Sequence, residues 1–125
     1  MAPDVVGLAV ACRVQIGRAA LDDDLWLSET LARIAQSKDR IAEIALAQGL
    51  TPIPSATIFV TLDCMRDGAF ARAVLAALVQ AGIFVRMPFV APQDRCIRIS
   101  AGRPDDLDAF EAALPAALDT ARSVV

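Results

Sequence analysis

Apolar residues recur along this chain with two periods, and the changes of period divide it into seven elements in the order α-α-β-α-β-β-α. Residues 5–20 read as a helix. Val6, Val10, Val14 and Gly17 share one face, while Leu8 and Ile16 leave the segment apolar on more than one side. A second helix starts at Asp22, Asp23 and Asp24, which offer a cap and favourable charge at the positive end of the helix dipole. Leu27, Leu31, Ile34, Ile41 and Ile44 follow helical spacing, and Glu29, Arg33, Gln36, Arg40 and Glu43 fill the polar side. Gly49 provides a left-handed stop, and Pro52 and Pro54 prevent continuation. Residues 57–63, rich in β-branched and aromatic side chains, predict the first strand. Asp67 caps a helix over 67–81 that turns Phe70, Val74, Leu75 and Leu78 inward and ends at Gly82.

Residues 83–86 predict a second strand, and 87–95, with Pro88 and Pro92, a connection to a third over 96–100. Pro104 fits the first turn of a last helix with Asp105 and Asp106 behind it. Leu107, Phe110, Leu114 and Leu118 form its stripe, and Pro115 would kink or end it. A right-handed crossover from the first strand to the second, then a hairpin into the third, gives a three-stranded mixed sheet of order 1-3-2. The fold class is therefore α+β, with helices on one face of the sheet and two helices preceding it. The third strand lies in the centre. In it, Ile97 and Ile99 share one face, and Arg98 lies on the other with Cys96 and Ser100.

That arginine is the leading candidate for chemistry. Its guanidinium holds five donors in a rigid fork suited to a carboxylate, and it cannot shed its charge to escape burial. A central position favours a ligand over the alternative of an edge arginine extending into water. Arg86, at the end of the second strand, reads from its position alone as a strand-end arginine in solvent. Arg95 and Arg103 read as solvated loop residues. Lys38 is the sole lysine; mid-helix on the polar side with no glycine-rich turn behind it, it reads as a surface residue. The acidic groups at 22–24 and at Asp105, Asp106 and Asp108 start helices, so capping explains them better than a cation does.

Composition narrows the classes. The 125 residues suit one domain, with 1–21 a helical lead-in and 22–125 the body. A net charge of −3 argues against a nucleic-acid or anionic-membrane surface. No histidine is present, which removes His-based triads and the usual zinc ligands. Cys12, Cys64 and Cys96 are odd in number and widely spaced, without a metal or disulfide pattern, so free buried thiols in a reducing cytoplasm are expected. No apolar run approaches a membrane span, and no basic region precedes a hydrophobic one at the N-terminus.

Four motifs in fixed order carry a family resemblance. They are Leu21-Asp22-Asp23-Asp24-Leu25-Trp26, then Pro54-Ser55-Ala56-Thr57-Ile58-Phe59-Val60, then Gly82-Ile83-Phe84-Val85-Arg86, then Cys96-Ile97-Arg98-Ile99-Ser100-Ala101-Gly102. From residue 21 to 118 the chain resembles the small C-terminal domain of fold-type-I pyridoxal-phosphate aminotransferases, in the histidinol-phosphate aminotransferase-like branch. The resemblance implies that Arg98 binds the substrate's α-carboxylate and that Arg86 helps bind a substrate phosphate. It implies pyridoxal phosphate for full-length relatives, held by a lysine and a phosphate cup on a large upstream domain that has no counterpart here. The chain alone is expected to bind no cofactor and no metal and to lack transaminase activity. A homodimer acting on an amino acid or phosphorylated amino alcohol is implied for the full enzyme. One departure stands out: relatives often have asparagine where this chain has Ile58, which suggests a packed position. The rival reading is a non-catalytic module that binds a small acid or dimerises.

Overall fold

The computed structural model describes residues 13–19, 22–88 and 90–125. The chain divides into two compact units, Met1–Arg33 and Ile34–Val125. Of the expected first helix, residues 13–19 are helical; Cys12 and the rest of that prediction lie outside the described residues. Helix α1 runs Asp24–Ala47. Asp23 starts it as expected: its Oδ1 accepts the Trp26 N–H at 2.9 Å. Its apolar stripe divides sharply. Leu27 and Leu31, in the first unit, are exposed, whereas Ile41 and Ile44 in the second are buried.

Within the second unit, two helices end in the same way. Gly49, with φ +80°, follows α1; the Leu50 N–H bonds the Ala45 carbonyl and the Gly49 N–H bonds that of Leu46. Helix α2, Gly68–Gln80, is capped by Asp67, whose side chain accepts the Phe70 N–H at 3.0 Å. It stops at Gly82, φ +82°, where the Ile83 N–H bonds Leu78 and the Gly82 N–H bonds Val79. Both stops need a left-handed residue that glycine adopts without steric cost. Helix α3, Pro104–Val124, opens on proline and contains Pro115 without ending there. The Pro115 ring removes one N–H, and the Glu111 carbonyl that would receive it belongs to an exposed residue.

The sheet is antiparallel throughout rather than mixed. Its strands are β1 Thr51–Ile53, β2 Phe59–Asp63 and β3 Cys96–Ser100, in the order β1-β2-β3. The expected strand over 83–86 is reduced to one antiparallel bridge, Arg86 opposite Arg98. The ladder does not run on past Arg86 because Pro88, across from Cys96 in this register, has no N–H to give. The third strand still lies between β2 and Arg86, so its inner position holds, but the third ladder member is β1, on the far side of β2. Pro52 is tolerated there because β1 is an edge. The expected start of the first strand at 57 moves to Phe59. The Ser55 hydroxyl accepts the Thr57 N–H, and the Thr57 hydroxyl accepts the Phe59 N–H. These side-chain bonds offer the backbone a turn in place of a ladder.

Strand alternation sorts the sheet into two faces. Val60 and Leu62 of β2 lie opposite Ile99 and Ile97 of β3, and all four are buried. Phe70, Val74 and Leu78 of α2 join them in one core with Leu114 and Leu118 of α3 and Ile41 of α1. The opposite face carries Phe59, Thr61 and Arg98. Helices on one face of an α+β sheet, with the other face left to side chains of this kind, is the arrangement that positions the site. Two polar ties hold the helices. Buried Ser37 of α1 accepts the Gly102 N–H at 2.8 Å, and Arg40 bonds the Pro104 carbonyl and reaches Asp108 and Glu111.

Candidate functional site

The bridge between Arg86 and Arg98 exchanges both backbone hydrogen bonds: Arg86 N–H to Arg98 carbonyl at 3.1 Å, and Arg98 N–H to Arg86 carbonyl at 2.7 Å. Residues directly opposite in such a pair send their side chains to the same face. Two guanidinium groups therefore leave the sheet side by side on the face away from the helices. Like charges directly opposite are destabilising unless something of opposite charge lies between them. Arg98 is half-buried and Arg86 exposed.

The Arg98 side chain is anchored on one side only. Its Cζ lies 4.7 Å from the centre of the Phe59 ring, a cation–π distance. Its Nε is buried and has no hydrogen-bond partner among the described residues. A buried donor of a charged group without an acceptor is costly, and an anion that meets the guanidinium edge removes the cost. Thr61 lies opposite Arg98 in the β2–β3 register and brings a hydroxyl to the same face. Phe59 and Thr61 are site residues that sequence reasoning missed. The signal lay in the alternation of residues 59–63 once Val60 and Leu62 are assigned to the core.

Other expected residues fall elsewhere. Arg95 remains 41% exposed, as a solvated residue would, but it also has a partner: its Nε bonds Asp63 Oδ1 at 2.8 Å. That oxygen also accepts the Met65 N–H at 2.8 Å, which supports Met65 in the left-handed region at φ +64°. Arg95 adjoins the site strand but serves the fold. Cys64 and Cys96 are buried free thiols nearby. Burial pushes the Cys64 thiol up to about 12, and burial followed by the Asp63 charge raises that of Cys96. Neither is a poised nucleophile. Arg103 is exposed, as expected. Asp108 pairs with Arg40, and no group of three or more metal-ligating side chains occurs among the described residues.

Lys38 departs from expectation. It is half-buried, and its ammonium donates to the Ser55 carbonyl, closing one wall of a cleft of about 370 Å³ between α1 and the β1–β2 connection. Val60, which points to the helix-covered face, lines that cleft, so Lys38 and Arg98 lie on opposite sides of the sheet. Ile58 is also unlike its expectation: it is 52% exposed rather than packed, and its carbonyl accepts the Ala101 N–H at 2.8 Å. No helix among the described residues is long and apolar enough to cross a membrane.

No family model matches the chain. Among curated proteins it is 40% identical over 94 residues to histidinol-phosphate aminotransferase of Roseiflexus castenholzii, covering 74% of this chain and 25% of that protein. It is 35% identical over 91 residues to the enzyme of the same name from Dehalococcoides mccartyi, again 25% of its length. Among solved structures it is similar to histidinol-phosphate aminotransferase from Sinorhizobium meliloti, crystallised with pyridoxal-5'-phosphate. The TM-score there is 0.78 at 46% identity, over 86% of this chain and 29% of that one. The chain thus corresponds to a portion of histidinol-phosphate aminotransferases and spans about a quarter of the length of these curated relatives. The aminotransferase-like fold and resemblance expected from the four motifs are borne out for that portion.

Proposed function

We propose that this chain is the substrate-gripping, C-terminal portion of a pyridoxal-phosphate-dependent aminotransferase of the histidinol-phosphate type, with residues 1–21 a lead-in and 22–125 the substrate domain. Arg98 holds the carboxylate or phosphate of an amino acid or phosphorylated amino alcohol, and Arg86 a second anionic oxygen. The observation that carries this reading is the pair of guanidinium groups set opposite each other on one face, one with an orphaned buried Nε. A planar fork fixes direction as well as charge, so its contribution to a reaction is orientation of the substrate.

The cofactor, when bound, supplies the electron sink for chemistry at the substrate's amino carbon. Lys38 does not fit the lysine that would hold it. Its ammonium is engaged by a backbone carbonyl, and it lies across the sheet from Arg98. Binding and orientation are therefore the roles of the residues described, and the chain alone has no transaminase activity in this reading.

A homodimer in the cytoplasm completes the proposal. Buried free thiols fit a reducing compartment. Exposed Leu25, Trp26 and Leu31 in the first unit fit a surface covered by a second copy, and they equally support the rival reading of an assembly module.

The test of the anion site is a titration of the chain with inorganic phosphate, followed by NMR of the arginine Nε–H groups. Phosphate should shift the Arg98 and Arg86 signals together and saturate. Loss of saturable binding in Arg86→Ala and in Arg98→Ala supports the site; binding that survives both substitutions overturns it.

A further inference from the structure

Phe84 is 82% exposed, the most exposed of the large apolar side chains among the described residues. Its neighbours explain where it points. Ile83 and Val85 pack against the core, Arg86 is exposed, and Met87 is buried. This alternation from 83 to 87 keeps the side-chain direction of a strand although the ladder is limited to Arg86. Phe84 and Arg86 thus share the open face of the sheet, two residues apart, which in an extended chain is about 7 Å. Continuing the Arg86–Arg98 register places Phe84 across from Ser100, and Ser100 is in turn opposite Phe59.

The two phenyl rings of this face are in different states. Phe59 is half-buried and already covers one side of the Arg98 guanidinium at 4.7 Å. Phe84 is free. Nothing in the core requires an aromatic residue at a position so exposed, and a short polar side chain would satisfy the same backbone. A free ring beside two cations that form no ion pair among the described residues suits a ligand that is anionic at one end and flat at the other, since ring faces stack on planar groups.

We propose that Phe84 is a third ligand-contacting residue of this site, stacking on a planar unsaturated group carried next to the ligand's anion and thereby selecting such ligands over saturated ones. The inference rests on the reading of Arg86 and Arg98 as an anion site and adds selectivity to it.

Calorimetric titration of the full chain with three probes tests it: inorganic phosphate, phenyl phosphate and cyclohexyl phosphate. The two esters carry the same anion on rings of similar size, and only one ring is flat. The expected result is phenyl phosphate binding about 2- to 10-fold more tightly than cyclohexyl phosphate, the range of an aromatic pair. Phe84→Ala should abolish that preference and leave inorganic phosphate within about 2-fold, an allowance for modest context effects. Phe84→Trp should retain the preference. Equal affinity for the two esters in the native chain, or a preference that survives Phe84→Ala, overturns the role of Phe84 while leaving the arginines in place. If none of the probes depends on Arg86 and Arg98, the anion site itself falls, and Phe84 with it.

Discussion

Arg98→Ala separates a ligand clamp from a framework residue, because the structure sets the two costs apart. The substitution leaves the backbone exchange with Arg86 intact. What it removes is the contact with Phe59, about 0.5–2 kcal/mol for a cation over a ring. It also removes a buried Nε without a partner, whose burden is about 1–3 kcal/mol. Relief of the charge opposite Arg86 adds up to about 1 kcal/mol in the same direction. Taken at their extremes these amounts run from about 1 kcal/mol lost to about 3.5 kcal/mol gained, so the substitution costs the folded state no more than about 1 kcal/mol. For a chain of this size that limits any fall in Tm to about 5 °C or less.

Ligand binding has no such offset. Losing a hydrogen bond between charged groups costs about 1.5–3 kcal/mol, or about 10- to 150-fold in affinity. Arg98→Lys should lie between, since it keeps the charge without the fork. Differential scanning calorimetry and phosphate titration on the same three proteins measure both quantities. A fall in Tm beyond about 10 °C with phosphate affinity unchanged would show that Arg98 serves the fold, and the clamp would be refuted.

Two further outcomes follow from burial. The Cys64 thiol, held at about 12 against an ordinary 9.0, keeps its proton in the folded chain where the unfolded chain would lose it. Its contribution to stability is therefore complete below pH 9 and is lost as pH rises toward 12; the chain contains no tyrosine to confuse that window. The Tm advantage of the native chain over Cys64→Ala should narrow from pH 9 to pH 12, and parallel curves would contradict the assignment. Self-association driven by the first unit should appear in sedimentation velocity between micromolar and millimolar concentration and weaken in Leu25→Glu and Leu31→Glu. A native chain that stays monomeric throughout would sink it.

Much of the fold was legible because its signals are local. Asp23 and Asp67 each bond an N–H three residues on, and Gly49 and Gly82 each close the same two-bond stop, so the helix limits needed no knowledge of the rest of the chain. The errors lie where a distant partner decides. Strand β1 is three residues with a proline at its centre, and it exists because β2 presents Leu62 and its neighbours to pair with. Residues 83–86 have a good strand pattern, yet Pro88 has no N–H to extend the ladder beyond Arg86. The ion pair of Arg95 was not legible because Asp63, its partner, is 32 residues away in sequence. Lys38 likewise depends on a carbonyl 17 residues on.

The candidate site follows the same division. Arg98 was readable from alternation alone, since Ile97 and Ile99 had to face the core and left it no other side. That Arg86 stands directly opposite was not readable, because it depends on one bridge within a segment that otherwise fails to pair. This bridge changes the chemical meaning of both residues. A lone arginine is solvated by water or paired with a nearby carboxylate, and Arg95, in the turn before β3, pairs with Asp63. Arg86 and Arg98 are given to each other instead. The phenyl ring of Phe59 supports Arg98 without neutralising it, as it carries no net charge. An arrangement that gives a carboxylate to the structural arginine and, among the described residues, none to the neighbouring pair fits the proposal that the pair meets an anion from outside.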